Sequence, residues 1–276
     1  MSFLPSGPGR LVVIAFEGWN DAGEAAVDTA RHLVAVWGLQ GRTLFSGDDY
    51  FDMTFIRPVL TRDADGPHIE WPGCTTHTGT VPGTGLEIEV IIGTEPSYRW
   101  QEYIGRVRER LTEGDRVVLL GSLLADVTHT RPLPVSTTAE DPELAAEPEI
   151  ERSEYTGPVG ILGVLATTLA EAGLPTVSQW VAVPAYAASS PSPKAVLAML
   201  GAFEDLTGLV VDQHELVDEA RAWETGTDAL VDSDEDLAEH VARIEGMTDA
   251  TELPQASGEA IAREFERYLD RRRRED

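Results

Sequence analysis

The run Leu11-Val12-Val13-Ile14-Ala15-Phe16, followed at once by Glu17-Gly18-Trp19-Asn20-Asp21-Ala22-Gly23-Glu24-Ala25-Ala26, decides the reading of this chain. Its opening residues are all apolar and do not alternate, which is the signature of a strand covered on both faces. The Ala-rich segment behind them predicts a helix. Asp21 is placed to cap that helix, with Glu24 three residues on as in a capping box. A doubly buried strand that feeds a helix predicts a parallel sheet. The connection itself holds two acids and a tryptophan, more chemistry than a simple turn requires.

Working outward, further strand-like runs fall at 43–45, 68–71, 86–92, 116–120, 133–137 and 176–183. Helix-period segments lie at 22–37, 97–111, 159–172 and 193–206, with Gly114, Gly173 and Gly208 placed as C-terminal caps of three of them. Alternating strand and helix predicts an α/β fold, a three-layer αβα sandwich. The stretch 47–85 breaks the alternation and reads as a hairpin or an extended excursion. Residues 138–154 read as an exposed acidic loop with one helical turn. Beyond Val211 no further strand is predicted, so the chain divides into an α/β domain, 1–212, and a helical C-terminal appendage, 213–276. The appendage reads as three helices, separated near 232–234 and 251–257. Ile261, Phe265 and Leu269 give the last of these one apolar stripe, which is expected to dock.

Composition narrows the function. The 276 residues carry 48 acids against 21 Lys and Arg, a formal charge of −27 that disfavours nucleic-acid backbones as partners. No apolar run approaches the ~20 residues of a membrane span, and 1–9 lacks a signal-peptide pattern, so a cytoplasmic location is expected and no membrane partner. One cysteine, Cys74, leaves no intramolecular disulfide, and no His-x-x-x-His, Cys-x-x-Cys or Asp-rich loop predicts a metal. Nor does any motif predict a cofactor. Gly157, Gly160 and Gly163 imitate a dinucleotide fingerprint but follow a polar segment instead of a strand, so close packing of a helix against the sheet is the reading preferred. Lys194 is the only lysine in the chain. It reads either as an accident of base composition or as a position that requires a compact ammonium.

The segment Glu17 to Gly23 resembles the corresponding loop of the PAC2 family, the proteasome-assembly-chaperone-like proteins. The resemblance continues through 95–100, 121–132, 155–160, 183–186 and 191–195, and covers roughly residues 10–270. It implies a fold similar to the nucleoside-phosphorylase-like class with a helical appendage, and no proven reaction. It also implies self-association, for which a trimer is the expected form, with Val196, Leu200 and Phe203 offering an apolar helical face. Proteasome subunits are the further partners it implies. Two departures stand out. Many relatives carry Pro-His-Tyr where this chain has Pro184-Ala185-Tyr186, and the archaeal hydrophobic-Tyr-any docking tail is replaced by a run of arginines, 271–274.

Loops leaving the carboxyl ends of parallel strands converge on one edge of an open α/β sheet. The residues expected there are Glu17, Trp19, Asp21, Glu95, Arg99, Trp100, Asp126, His129, Arg131, Tyr186 and Lys194. Such a mixed-charge cleft reads either as a buried ion network or as a binding site. His129, with Asp126 three positions before it and Ser122 nearby, is the histidine best placed for catalysis, but it reads more simply as a satisfied loop residue, and no catalytic residue is assigned. His32, His214 and His240 read as surface or packing residues. Cys74 and His77 form a nominal nucleophile–base pair without a stabilising cation. Two functions compete: a non-enzymatic assembly or scaffolding protein, and an enzyme acting on a small anionic or nucleoside-like ligand through Arg99, Arg131 and Lys194.

Overall fold

The computed structural model describes residues 2–47, 49–63, 66–188, 191–213 and 215–252. Its centre is an eight-stranded sheet in the order β2-β5-β6-β1-β7-β10-β8-β9, built from β1 (Leu11–Glu17), β2 (Gln40–Ser46), β5 (Gly73–Thr80), β6 (Glu87–Thr94), β7 (Arg116–Ala125), β8 (Val135–Ala139), β9 (Glu151–Arg152) and β10 (Thr176–Pro184). Strands β6, β1, β7 and β10 run parallel, and β5 and β8 join them antiparallel. A separate two-stranded hairpin, β3 (Val59–Asp63) with β4 (Gly66–Glu70), lies within the excursion expected at 47–85. Strand β5 went unread because Gly73-Cys74-Thr75-Thr76-His77 has little apolar content.

The unalternating run 11–16 is explained by a layer on each face. Leu11, Val13 and Ala15 join the core beneath α1 (Ala25–Val36) and α4 (Pro193–Thr207). Val12, Ile14 and Phe16 join the opposite core beneath α2 (Trp100–Arg108) and α3 (Ile161–Glu171). All six are buried. At ~1.5–3 kcal/mol for each large apolar side chain buried, this one strand is a main contributor to stability. Around Tyr103 the rings of Phe45, Tyr50 and Phe51 pack edge-on at 4.8, 5.4 and 6.4 Å, which ties the segment entering the hairpin to α2. Val196, Leu200 and Phe203, expected to offer a face to another subunit, are buried in the chain's own core.

Helix boundaries follow local chemistry, with two differences from expectation. A 3₁₀ turn, Ala22–Glu24, precedes α1, and the Asp21 carboxylate reaches past it to accept from the amides of Ala26 (2.9 Å) and Val27 (3.2 Å). Asp21 therefore caps the helix without the reciprocal Glu24 half of a capping box. Gly173 and Gly208 are left-handed, as C-terminal caps should be. Gly114 is not a cap: a Cβ there would meet the Pro8 carbonyl oxygen at 2.1 Å, so close packing of two backbone segments selects glycine.

At the amino ends of the central strands, Arg10 gathers two fully buried acids. Its guanidinium pairs with Glu89 and with Asp115 (2.8 Å), and it donates to the Arg110 carbonyl (2.7 Å). Glu89 also receives Arg110 at 3.0 Å and the Thr76 hydroxyl at 2.6 Å. This clamp stitches β1, β5, β6 and the turn before β7.

Past the sheet come α5 (Leu216–Asp232) and α6 (Glu235–Glu252), divided where the sequence placed the break. They lie back on the α/β layers: Leu216 belongs to the core under α1 and α4, and Ala220, Val241 and Ile244 are buried. The Ile261, Phe265 and Leu269 stripe lies outside the described residues, as does His214.

Candidate functional site at the carboxyl edge

Because β6, β1, β7 and β10 are parallel, their following loops leave the same edge of the sheet. The side chains there form two contact groups. The first surrounds Glu95. Its carboxylate accepts from the Ile161 amide at the start of α3 (2.8 Å) and from the Trp19 amide (3.3 Å), so one residue caps a helix and pins the loop after β1. Gly160 sits against this pair so closely that a Cβ would fall 1.9 Å from Asn20 Oδ1 and 2.8 Å from Glu95 Oε1. The glycine requirement predicted for this helix is thus real, but the approach is to the 18–20 loop and not to the sheet. Gly160→Ala should displace Asn20 and Glu95 and cost about 1–3 kcal/mol in a urea titration. A change of a few tenths would show that the loop yields freely.

Glu17 pairs with Arg31 (2.6 Å), which also holds Asp28 (3.0 Å), and receives the Thr94 hydroxyl. Asp21 is mostly buried, and desolvation raises its pKa to about 7 against the pull of its two amide donors. Ser122 donates its hydroxyl proton to the Ala22 carbonyl at 2.9 Å, so it is engaged with backbone and not with an imidazole.

The second group surrounds His129, which is buried. Its Nδ1 meets the Tyr186 hydroxyl at 2.7 Å and its Nε2 meets Asp228 of α5 at 3.0 Å; both bonds are satisfied when Tyr186 donates to Nδ1 and Nε2–H donates to the carboxylate. Burial, chiefly, pushes the Tyr186 phenol upward. Lys194 donates to the His129 carbonyl and to Glu224 of α5, and Thr130 donates to Glu245 of α6. The carboxylate partnering His129 is therefore 99 residues downstream and not the neighbouring Asp126, which is exposed. Among the described residues no ion pair joins Lys194 to Glu17 or Asp126.

Arg99 and Trp100 belong elsewhere. Arg99, left-handed at φ 54°, pairs with Asp49 (3.5 Å) and Glu102 (3.6 Å), while Trp100 opens α2 against the Phe16 core. Arg131 is exposed. Cys74 is buried and its thiol is pushed up to about 12, mainly by desolvation, and His77 bonds Thr75; neither is poised for nucleophilic chemistry. Sequence reasoning missed Asn20, Glu224, Asp228 and Glu245. Nothing local marks the appendage acids, since their meaning lies in what they touch. The edge also exposes Trp19, Leu123, Leu124, Tyr155 and Val159. Among the described residues no cluster of His, Cys, Asp and Glu is arranged to hold a metal, and no helix is long and apolar enough to cross a membrane.

A three-layer sandwich with two C-terminal helices, which meet its carboxyl edge at His129, Thr130 and Lys194, is the class of fold found here, and the sequence profile of the PAC2 family matches residues 15–231. The chain belongs to the PAC2 family. Among solved structures, a PAC2 family protein from Streptomyces avermitilis is 40% identical, with 84% of this chain and 99% of that one covered at a TM-score of 0.73. A Mycobacterium tuberculosis proteasome-assembly chaperone homologue is 36% identical over 84% and 99%, also at 0.73. A Pyrococcus furiosus archaeal proteasome activator shares the fold at 14% identity and a TM-score of 0.63, covering 82% and 96%. A search of curated proteins returned no match.

Proposed function

We propose that this protein is a cytoplasmic assembly chaperone or scaffold that works through protein surfaces without chemistry of its own, associates with itself, and takes proteasome subunits as partners. The observation that carries this reading is the state of the carboxyl edge. Its lysine and histidine are engaged by Glu224 and Asp228 of α5 and its tyrosine by that histidine, while Trp19, Leu123, Leu124, Tyr155 and Val159 are presented outward. A catalytic cleft needs the opposite, free polar groups in a concave, mostly apolar pocket. The Mycobacterium tuberculosis relative, a proteasome-assembly chaperone homologue, supports the partner class.

A second reading, an enzyme for a small anionic or nucleoside-like ligand, draws support from a cavity of about 400 Å³ lined by Arg31, His32, Asp28 and Pro193. Thermal shift with inorganic phosphate and a nucleoside panel separates the two. On the chaperone reading no compound raises the melting temperature, and Lys194→Ala lowers it. Glu224 is 39% exposed, so the acid left behind can rehydrate and the cost is about 1–2 kcal/mol, well short of a sealed ion pair. A compound that stabilises the wild type but not a variant of the cavity wall, His32→Ala, would overturn the non-enzymatic reading.

A further inference from the structure

We propose that a cavity at the amino ends of the central strands binds a free amino acid with a large apolar side chain. The cavity measures about 330 Å³, at the small end of the range for ligand pockets, and suits a molecule of that size. Arg116, which opens β7, lies in its wall, so the cavity stands at the end of the sheet opposite the carboxyl-edge loops. Two segments close it, and both are anchored. On one side residues 2–3 are tied to the end of α4, with the Phe3 amide donating to the Leu206 carbonyl at 2.8 Å and the Ser2 hydroxyl to that of Thr207. On the other, the turn Leu144–Ala146 leads to Ile150, whose amide donates to the Glu147 carbonyl at 3.1 Å. Phe3, Ile150 and Leu206 are buried, and Leu4 and Leu144 pack against the same core, so the apolar part of the wall exists before any ligand arrives.

Arg116 decides one end of the ligand. Among the described residues three arginines are partly buried, and two of them pair with buried acids, Arg10 with Glu89 and Asp115, and Arg110 with Glu89. The third, Arg116, pairs with no carboxylate among the described residues; its guanidinium stands over the Phe3 ring, 6.0 Å from the centroid. A partly desolvated guanidinium whose planar fork of donors is unused is matched by a carboxylate. A simple anion does not fit the rest of the wall. Glu147 and Glu149 also line the cavity, both exposed, which places negative charge on its solvent side and suits an amine there. A lone cation would meet Arg116 and a lone anion the two acids, whereas a small zwitterion avoids both repulsions. Carboxylate, ammonium and apolar body in one small molecule describe an apolar amino acid.

Isothermal titration calorimetry of the full chain with L-leucine, L-phenylalanine and L-tryptophan tests this. At least one of them should bind at a single site per chain with a Kd below about 1 mM. Absence of saturable binding by all three would overturn the proposal. Matched analogues then read the two charges. The amine that lacks the carboxylate, tryptamine in the case of tryptophan, should bind roughly tenfold more weakly, and Arg116→Ala should weaken the amino acid by a similar factor. The acid that lacks the amine, indole-3-propionate in the same case, should bind roughly two- to fivefold more weakly, as should the amino acid to Glu147→Gln/Glu149→Gln, because those carboxylates are exposed. An amine or an acid that binds as tightly as its parent amino acid, or an affinity unchanged in Arg116→Ala, would refute a zwitterion site in this cavity. Should Arg116→Ala fail to fold, the analogue series and the double glutamine variant decide the matter.

Discussion

Arg10→Ala is expected to cost about 3–5 kcal/mol of folding stability, read from the midpoint and slope of urea unfolding. The reason is what remains behind. Glu89 and Asp115 have no exposed side-chain surface, and Arg10 supplies contacts to both. Glu89 would keep Arg110 and Thr76, but Asp115 would be left with backbone amides, those of residue 10 and Thr112. Burial alone pushes Asp115 upward; the Arg10 hydrogen bonds and the Thr112 amide together bring it below the usual carboxylate range. A buried acid stripped of its cation destabilises far more than the intact pair stabilises, because the desolvation is no longer offset. A loss under about 1 kcal/mol would mean that water reaches the clamp and that the amino ends of the central strands are held by packing alone.

Asp21→Asn is expected to act in the opposite direction and to depend on pH. The folded carboxyl titrates near 7, against the ordinary value of 3.8, so between these limits the folded protein binds a proton that the unfolded chain does not. This contribution to stability is fully present below about pH 4 and is lost as pH rises through 7. Above that, the protein carries a buried charge beside Asp28 and Glu17. Asparagine keeps an oxygen to accept from the Ala26 and Val27 amides and removes the charge. Stability at pH 8 should therefore rise by about 2–4 kcal/mol over the wild type, and the gap should close toward pH 4. Comparing the two proteins at each pH cancels carboxylates such as Asp115, whose titration runs the other way. A variant less stable than the wild type at pH 8 would show that helix capping by the charged form outweighs its burial.

These two residues also show how far the sequence can be read. Asp21 was visible because a cap followed by an Ala-rich helix is a local pattern, and the unalternating run before it placed the central strand and both covering layers. The four carboxyl-edge loops followed from the same pattern, since parallel strands direct their exits to one side. The Arg10 clamp was missed, although Glu89 within the apolar run Leu86–Ile92 is a signal: an acid there needs a buried cation, and only topology says which one. His129 illustrates the limit more sharply. The acid nearest in sequence, Asp126, is exposed, and the working partner is Asp228, brought across by the docking of α5. Local spacing has no knowledge of how an appended helix folds back. Strand β5 was obscured for a different reason, since a polar, threonine-rich strand carries weak periodicity, whereas the hairpin expected within 47–85 is present as β3 and β4.

The account turns on the carboxyl edge being a protein surface, and purification of the tagged protein from its native cells tests this most directly. Proteasome subunits identified by mass spectrometry should co-elute with the wild type in reproducible stoichiometry and should be lost with Trp19→Asp/Leu124→Asp, two exposed side chains of that edge. A wild-type eluate free of proteasome subunits, from cells that express them, would contradict the proposed partner; subunits retained by the double variant would contradict the proposed surface.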